Sequence, residues 1–403
     1  MVNMNSDPLS KSKYMGNARA QIPLRLTHEF MDITKRHIEE IDVNSGFQAI
    51  HKYNAAQSWS RAAENEYHTW FGFSGAGSNV GLNGLIADTM KLGLIDVMVS
   101  TGANVFHDNH TACCLPLRHG SYQVDDNDLR NDKTTRIYNR FIHNDYTLKA
   151  QDMILQDFSR KVLPRLEQPF SSARFLYELG EEMLNDNSGT VVDKEGSFLI
   201  QAAKNKVPIF LDSQSNHSLG MSLSKLKLEG YDADMSPTED LIEAAALVRK
   251  TQPQLNVFAA EGGTRNFIQT LGPMLSETFH IPFEGADRCI RFTVADERAG
   301  ALSGSGQSEA VSWGKYEDDK GEVVVWGDYT TTLPDVMGYV AAYHSRNPGR
   351  LMNRLDEITK NFKEEVERHR GALEKSQSKL RRLLPSVQMH EKKLREEAGY
   401  EFT

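Results

Sequence analysis

Short apolar runs that end in glycine or polar residues recur along most of this chain. They lie at Trp70–Phe73, Ile95–Ser100, Val207–Ser213, Leu255–Gly263, Cys289–Val294 and Val323–Asp328. Segments with helical spacing of apolar residues separate them. This alternation predicts an α/β fold, a Rossmann-like, doubly wound and mostly parallel sheet with helices on both faces. Ligands are then expected at the carboxyl ends of the strands.

Helical spacing also predicts where the chain leaves the sheet. Helices are expected at Leu24–Ile41, Phe47–Glu64, Asn79–Gly93, Asp128–Phe141, Tyr146–Leu163, Ser171–Asn185, Thr238–Lys250 and Leu333–His344, and from Thr101 and Asn266 onward. No low-complexity linker divides the chain. We therefore expect an N-terminal polar segment and helix over residues 1–46, one catalytic domain over 47–345, and a charged tail over 346–403.

The tail has its own pattern. Apolar residues recur between charged ones at Leu355, Ile358, Phe362, Val366, Leu373 and Leu380. This near-heptad spacing predicts a long amphipathic C-terminal helix that ends near Pro385. Two interpretations stay open: the helix packs along the core of its own chain, or it joins subunits.

Charge and composition exclude several partners. The formal net charge is -9, which argues against a nucleic-acid partner because such binding rests on lysine and arginine. No apolar run approaches the roughly 20 residues that span a bilayer, and the N-terminus lacks the apolar region of a secretory signal. The expectation is a cytoplasmic protein without a membrane partner. Cys113, Cys114 and Cys289 have no zinc-site spacing and are expected as free thiols.

Two glycine-containing loops follow neighbouring strands of the predicted sheet. The first, SGAGSN, holds Gly75, Ala76, Gly77, Ser78 and Asn79, and the second, TGAN, begins at Thr101 with Gly102 and Ala103. Glycines at a helix start let backbone N–H groups approach a phosphate. The spacing is not GxGxxG, so a dinucleotide site is one interpretation and ordinary tight turns are the other.

Two polar pairs have both a metal-binding and a structural interpretation. His107 and His110 would share a helix face and could bind a metal, or they could be buried structural histidines. Asp125 and Asp126 could bind cations, or they could begin the next helix, where acidic residues favour the dipole. The structural interpretation is the commoner one in both cases, so no metal is predicted.

A lysine with an aromatic and an acidic neighbour lies in the segment SEAVSWGKYEDD. If WGK is extended, Trp313 and Lys315 point the same way, and the indole can hold a cationic amine beside the lysine. Glu309 supplies a countercharge. Burial lowers the pKa of a lysine and frees its amine to attack a carbonyl or imine carbon. The alternative is an ordinary surface lysine.

The same segment resembles deoxyhypusine synthase. EAVSWGK (309–315) is similar to the catalytic segment of that family, and STGANVFHD (100–108) resembles its NAD loop. SLG (218–220), NFI (266–268) and WGD (326–328) follow in the family's order, and the resemblance covers roughly residues 47–344. It implies a Rossmann-like homotetramer with active sites between paired subunits. It also implies NAD-dependent transfer of an aminobutyl group from spermidine through a lysine Schiff base.

The resemblance assigns roles to single residues. Lys315 would be the Schiff-base nucleophile, and Glu309 and Trp313 would line the polyamine pocket. The residues at the positions of the family's NAD site, with altered residues in the first loop and at Asn216, are Gly75, Ala76, Gly77, Ser78, Asn79, Thr101, Gly102, Ala103, Asn216, Ser303 and Asp328.

Several positions depart from the family pattern. Phe106 and His107 replace two glutamates of the eukaryotic enzymes, and Met221 and Leu302 replace aspartates that hold substrate ammonium groups. Asn266 replaces a histidine at the substrate, and Asn216 replaces an aspartate on the cofactor side. Losing these carboxylates weakens the attraction for a trication, which indicates a different amine or a different way of holding it. His107 and Asn266 are predicted substrate contacts.

Three functional hypotheses follow. The first is an NAD-dependent alkylamine transferase that acts on a polyamine and passes the group to a small amine or a protein lysine. The second is a simple NAD-dependent amine oxidoreductase in which Lys315 only positions the substrate. The third is a noncatalytic assembly protein that keeps the fold.

Overall fold

A computed structural model describes residues 8–398, within which the chain forms nine strands and fourteen α-helices. The strands are β1 (His68–Phe73), β2 (Val97–Ser100), β3 (Leu117–His119), β4 (Thr134–Ile137), β5 (Arg140–His143), β6 (Ile209–Leu211), β7 (Gln254–Ala259), β8 (Arg288–Thr293) and β9 (Glu322–Trp326). The helices are α1 (His28–Asn44), α2 (Gln48–Glu64), α3 (Asn83–Lys91), α4 (Gly102–Ala112), α5 (Asp126–Asn131), α6 (Ala150–Val162), α7 (Ser172–Leu184), α8 (Phe198–Asn205), α9 (Ser218–Leu228), α10 (Pro237–Lys250), α11 (Gly263–Pro273), α12 (Gln307–Ser312), α13 (Tyr329–Tyr343) and α14 (Leu355–Glu397).

Six of the strands form one parallel sheet in the order β6-β2-β1-β7-β8-β9. The chain starts in the middle at β1, moves outward to β2 and β6, then returns to the centre at β7 and moves the other way. This order reverses direction between β1 and β7, which is the switch point where doubly wound sheets bind ligands. The register places Phe73, Ser100 and Ala259, the last residues of β1, β2 and β7, side by side at that point.

Apolar side chains from both faces of the sheet are buried under helices. Alternate residues of β1 belong to two different clusters: Trp70 packs on one face, and Phe71 and Phe73 pack on the other. The first face is covered by α10, α11 and the start of α14, and the second by a larger group that includes α2, α3 and α13. The predicted Rossmann-like, doubly wound fold is therefore confirmed.

The predicted helix over Asp128–Phe141 is wrong. Asp125 caps a shorter helix, α5, by accepting hydrogen bonds from the backbone N–H groups of Asn127 (2.8 Å) and Asp128 (3.4 Å). The chain then forms the antiparallel sheet β3-β5-β4. Lys133 and Tyr138 adopt left-handed backbone conformations that turn the chain, and β-branched threonines begin β4. The capping interpretation of Asp125 holds here.

Three helices, α8, α9 and α12, were not predicted. Ser197 caps α8, and His217 caps α9 by accepting the N–H of Gly220 at 3.2 Å. The segment around His217 reads as a polar turn in the sequence, because its first residues are polar and the apolar face of α9 begins only at Leu219. Histidine is also not among the usual capping residues.

The C-terminal helix α14 continues through Pro385 to Glu397, so the predicted end near Pro385 is wrong. Proline inside a helix removes one backbone hydrogen bond and bends the axis. The residues around Pro385 nevertheless favour helix strongly enough for α14 to continue past it. Ile358 and Phe362 at the start of α14 are buried against α10. Within residues 8–398 no helix is both long and apolar enough to cross a membrane.

Candidate functional site

Lys315 lies in a turn that follows the short helix α12, so the extended conformation considered for WGK is not the one observed. Gly314 has a φ of 69°, a left-handed conformation that glycine adopts without strain, and this reverses the chain between Trp313 and Lys315. The two side chains nevertheless meet, because the Lys315 amine lies 5.7 Å from the centre of the Trp313 ring. The indole is 62% exposed, so its free face remains open to a ligand.

The environment of Lys315 shifts its amine toward the neutral form. Burial lowers the pKa of Lys315 most, the nearby guanidinium of Arg265 lowers it further, and the carboxylate of Glu309 opposes both. A neutral amine is the nucleophilic form of lysine. Lys315, Trp313 and Glu309 together form what we call the lysine group.

Arg265, on the first turn of α11, belongs to a buried network of charges that sequence reasoning missed. It donates to Glu261 (3.0 Å), and Arg291 of β8 donates to the same Glu261 carboxylate and to Glu322 (2.9 Å). Both guanidinium groups have no exposed surface. The available signal was an arginine inside the apolar run CIRFTV, since buried arginines are rare unless they are paired.

This network also holds the loop that carries Ser303. Arg291 donates to the Ser303 carbonyl (2.9 Å), and Arg265 donates to the carbonyls of Leu302 (3.3 Å) and Ser305 (2.7 Å). The loop forms a 3₁₀ turn over Leu302–Gly304 and leads directly into α12. The buried arginines therefore fix the position of the loop before α12, and the residues of the lysine group follow directly after that loop.

A cavity of about 330 Å³ opens beside this loop. Its lining includes four carboxylates and no lysine or arginine. The residues are Glu297, Gly304, Ser305, Gly306, Gln307, Ser308, Glu309, Asp319 and Glu322. The side chain of Gln307 is buried, and its carbonyl oxygen has no hydrogen-bond partner within the described chain. This lining of carboxylates and hydrogen-bond acceptors suits a positively charged hydrogen-bond donor, such as an ammonium group.

The first glycine loop lies at the carboxyl end of β1. Gly75 has a φ of 69°, and a side chain at Gly77 would meet the ring of Phe73 at 2.5 Å. Thr101 caps α4 and donates its hydroxyl proton to the Gly75 carbonyl (2.7 Å), which ties the two predicted loops together. Ala76 precedes a 3₁₀ turn over Gly77–Val80. Both loops thus stand at the edge of the sheet where ligands are expected.

Asn104 strengthens the same connection and was not among the predicted site residues. Its amide donates to the carbonyls of Phe73 (2.9 Å) and Ser74 (3.3 Å), and its oxygen accepts from the Ser78 backbone (3.2 Å). The neighbouring Asn79 is fully buried, and within residues 8–398 neither polar atom of its side chain has a partner.

The helix α4 begins at Gly102 and Ala103, whose N–H groups have no partner within the helix. The ring of His217 packs directly against Gly102, so a side chain at this position would clash with it. Asn216, just before His217, is exposed at the rim. The predicted cofactor residues Asn216 and Gly102 therefore lie close together.

Asp328 caps α13 from the carboxyl end of β9. It accepts the Thr330 N–H (2.7 Å), and the next residue, Tyr329, places its hydroxyl beside Gly75 and donates to the Ser74 carbonyl (3.4 Å). Asp328 therefore lies at the same end of the sheet as the glycine loops, and its neighbour Tyr329 contacts the first of them. We call Gly75–Asn79, Thr101–Ala103, Asn216 and Asp328 the glycine group.

The helix α11 connects the glycine group to the lysine group. The hydroxyls of Thr264 and Ser74 are hydrogen-bonded at 2.6 Å, and the adjacent Arg265 lies near Lys315. The carbonyl of Lys315 accepts a hydrogen bond from the N–H of Ala286 (3.1 Å), which precedes β8 at the amino end of the sheet. No hydrogen bond in the described chain joins the two groups directly.

The two predicted substrate contacts lie in different surroundings. Asn266 is exposed on the first turn of α11, next to Arg265. His107 is buried, and burial lowers its pKa to about 4. Its ring contacts Phe106 and His110, with 3.4 Å between the two Nδ1 atoms. No cluster of three or more metal-ligating side chains was found among the described residues, so the histidine pair lacks a third ligand there.

A carboxylate that sequence reasoning missed lies at the carboxyl end of β6. Asp212 contacts Gly263 at the start of α11, and burial raises its pKa. In the sequence it reads only as the polar end of an apolar run. Its position near Asn266 makes it a candidate countercharge for an amine.

The glycine group has features that fit a dinucleotide. The Gly75 and Gly77 positions cannot carry a side chain without strain or a clash, and the first turn of α4 offers free N–H groups. The buried Asn79 amide has no hydrogen-bond partner among residues 8–398. The lack of an acidic residue directly after β2 departs from the usual ribose contact.

Comparisons with known proteins agree on one family. The family profile described as deoxyhypusine synthase matches residues 38–340. A "Probable deoxyhypusine synthase 2" of Methanosarcina acetivorans is 30% identical over 310 residues, which cover 76% of this chain and 87% of the relative. A "Deoxyhypusine synthase-like protein" of Nostoc sp. is 32% identical over 282 residues, which cover 68% and 72%.

A solved structure extends the agreement to the fold. The crystal structure of a protein from Entamoeba histolytica, assigned provisionally to deoxyhypusine synthase, covers 77% of this chain and 93% of its own with a TM-score of 0.51. Its 13% identity supports the fold alone. The profile match and the relatives at about 30% identity show that the chain belongs to the deoxyhypusine synthase family of transferases.

Proposed function

We propose that this protein transfers an aminobutyl group from a polyamine donor to an amine acceptor, through Lys315 and with NAD as cofactor. The observation that carries the proposal is the setting of Lys315, where burial and Arg265 lower the amine's pKa beside an open indole face. A lysine that only pairs with surface acids needs neither feature. Membership of a transferase family supports the same reaction class.

Lys315 acts as the nucleophile. Its neutral amine adds to the imine carbon of the oxidised donor. The bond from that carbon to the original donor nitrogen then breaks, and this nitrogen leaves as an amine (diaminopropane when the donor is spermidine) with the proton that Lys315 gives up. The group then stays on Lys315 as a Schiff base until the acceptor amine displaces it. Because addition requires a free lone pair, the lowered pKa raises the reactive fraction at neutral pH.

The cationic ends of the donor would be held by Trp313, Glu309 and the acidic cavity beside them. An ammonium group over the exposed indole face gains a cation–π interaction, and Glu309 supplies a countercharge. Asn266, Asp212 and His107 are further proposed contacts. His107 would have to contact the substrate in its neutral form, since its pKa lies far below neutrality.

The glycine group would hold NAD. Residues Gly75–Asn79 and Thr101–Ala103 would surround the phosphates, and Asn216, Ser303 and Asp328 would contact the remainder. When bound, NAD takes up hydride from the carbon beside the donor amine and later returns it. Thr264 and Ser74 connect this group with α11, so the same helix would orient both the cofactor and the lysine.

The acceptor is a small amine or a protein lysine. The acidic cavity beside α12 suits either a polyamine or a basic segment of a protein. A homotetramer with sites between subunits is part of the proposal. It is supported by the exposure of Trp313 and Glu309 beside the half-buried Lys315, a side that a second copy would cover.

Trapping with borohydride tests the proposal. The protein is incubated with NAD and one amine at a time (spermidine, putrescine, agmatine or an acylated polyamine), reduced, and analysed by intact mass and peptide mapping. An adduct on Lys315 that carries an aminobutyl mass is the expected result. Lys315→Arg should abolish it, whereas Lys320→Arg, a matched exposed lysine on the next turn, should leave it unchanged.

Two results would overturn the proposal. Absence of an adduct in protein that binds NAD and releases NADH would assign an amine oxidoreductase in which Lys315 positions the substrate. Absence of both an adduct and NAD binding would favour an assembly protein.

A further inference from the structure

The last part of α14 carries apolar side chains that nothing in the described chain covers. In the segment Gly371–Glu397, which we call the distal segment, Leu380 is 63% exposed and Val387 is 61% exposed. Leu383, Leu384 and Leu394 are also exposed. Contiguous apolar residues on a surface usually mark an interaction site.

These residues form one stripe along the helix. Leu373, Leu380, Val387 and Leu394 follow one another at intervals of seven residues, and Leu383 and Leu384 fill the middle. A strict seven-residue repeat is the seam of a helix that packs against another helix. Met389, in contrast, lies two residues after Val387 and faces away from the stripe.

The contact of α14 with its own domain ends before this stripe begins. Ile358, Phe362 and Val366 pack on the helices of the sheet, and Arg249 donates to Glu365 (3.2 Å). Beyond Gly371 most side chains are exposed on all sides of the helix. The distal segment therefore extends away from the domain, and its stripe is free to meet a helix of another chain.

Charges along α14 favour one orientation of a second copy. Counting both ends, six basic residues and one acidic residue lie between Arg368 and Arg382, whereas residues 386–397 carry three of each sign. A parallel pair in register would place the two basic parts against each other. An antiparallel pair instead places each basic part against the other copy's end, where Glu391, Glu396 and Glu397 lie.

The apolar stripe matches the same orientation. A twofold axis beside Leu383 and Leu384 brings Leu373 near Leu394 of the second copy, and Leu380 near Val387 of the second copy. Arg370 then comes near Glu397, and Glu374 near Lys393. Each exposed leucine or valine of the stripe thus meets an apolar partner, and two oppositely charged pairs form towards the ends of the contact.

We propose that the distal segment pairs antiparallel with the distal segment of a second copy of this chain, through Leu373, Leu380, Leu383, Leu384, Val387 and Leu394. The contact lies outside residues 38–340, which match the family, so it would be an addition to the family's common fold.

Disulfide trapping in the full-length chain tests both the contact and its orientation. Cys114, the exposed native thiol, is first replaced by serine, because Cys113 and Cys289 are buried. Leu373→Cys and Leu394→Cys are then made singly and together. The two positions are about 32 Å apart on one helix, so no disulfide can form within a chain. We expect a disulfide-linked dimer from the double variant and none from either single variant.

A matched pair of charges tests the stripe. In the double-cysteine background, Val387→Glu should reduce the dimer yield about tenfold or more, because it buries an unpaired carboxylate. Met389→Glu adds the same charge two residues away and should leave the yield unchanged. Dimers from a single-cysteine variant would indicate a parallel pair, and no dimer from the double variant would indicate another occupant of the stripe. Either result, or equal yields from the two glutamate variants, would overturn the proposal.

Discussion

Lys315 and Arg265 are two cations held close together although fifty positions separate them in the sequence. Burial is the main cause of the lowered pKa of Lys315, and Arg265 lowers it further. Arg265 is itself fully buried and forms an ion pair with Glu261 at 3.0 Å. The helix α11 therefore carries a fixed positive charge whose repulsion favours the neutral form of the lysine.

Replacing Arg265 should move the pH dependence of catalysis. In Arg265→Gln the pKa of Lys315 rises, so the acid limb of kcat/KM against pH should move to higher pH. Arg298→Gln removes the same charge from an exposed position in the β8–α12 connection and should leave the limb in place. A limb that stays unchanged in Arg265→Gln would show that Arg265 does not act on the lysine. A thermal melt of each variant checks that the fold is retained.

Replacing Glu309 should have the opposite effect on the same limb. Its carboxylate raises the pKa of Lys315, so Glu309→Gln should lower that pKa and move the acid limb to lower pH. The KM for a cationic amine should rise about two- to fivefold, in line with an exposed ion pair worth up to ~1 kcal/mol. High salt should reduce this difference, since exposed charges are screened. A shift to higher pH would contradict the assigned role.

The indole of Trp313 should contribute to amine binding by its π face. Trp313→Leu should raise the KM for a cationic amine about two- to fivefold, because an exposed cation–π contact is worth ~0.5–1 kcal/mol. Trp313→Phe should recover part of the loss. Steady-state kinetics with a cationic amine and its mono-acylated form separate charge recognition from simple contact area. Equal effects on both substrates would exclude the cation–π role.

Gly77 should not tolerate a side chain. An alanine methyl would meet the Phe73 ring at 2.5 Å and the Tyr329 hydroxyl at 3.0 Å, so Gly77→Ala should lower the free energy of unfolding by about 1–3 kcal/mol. It should also weaken NAD binding, measured by titration calorimetry. Gly371→Ala is the matched control, since nothing lies near its added methyl and alanine favours helix by about 0.5–1 kcal/mol. Similar effects at both glycines would contradict the packing argument.

Asp240 should make stability depend on pH. Burial raises its pKa to about 7, although Ser172 and Gln214 donate hydrogen bonds to it. Between its unfolded pKa of about 3.9 and its folded pKa, the folded state binds more protons. The free energy of unfolding should therefore fall as pH rises from about 4 to 7, by at most ~1.4 kcal/mol per pH unit.

Urea unfolding at pH 5 and pH 7.5 measures this contribution. Asp240→Asn cannot ionise, so the difference in free energy of unfolding between the two pH values should shrink. Asp232→Asn, an exposed aspartate before α10, should keep the original difference. An unchanged difference in Asp240→Asn would show that another group causes the pH dependence.

The strands of the main sheet could be predicted because each is encoded locally. Runs such as LNVFA are apolar at all positions except Asn256, a pattern that is typical of a strand buried on both faces. The apolar spacing in α2 or α10 likewise indicates a helix without reference to the rest of the chain. Elements whose form depends on partners were missed. The β4–β5 hairpin reads as a helix until β3 is there to pair with it.

The candidate site was likewise predictable only where its features are encoded locally. The sequence by itself determined the reactive types and their local order: a lysine two residues after a tryptophan, glycines after β1, and a threonine that caps α4. Tertiary structure alone decided that Arg265 lies near Lys315, that His217 covers Gly102, and that Thr264 joins α11 to the first loop. The physical reason is the distance along the chain over which each interaction acts. Backbone propensities act over a few residues, whereas charge, burial and close packing depend on which distant segments folding brings together.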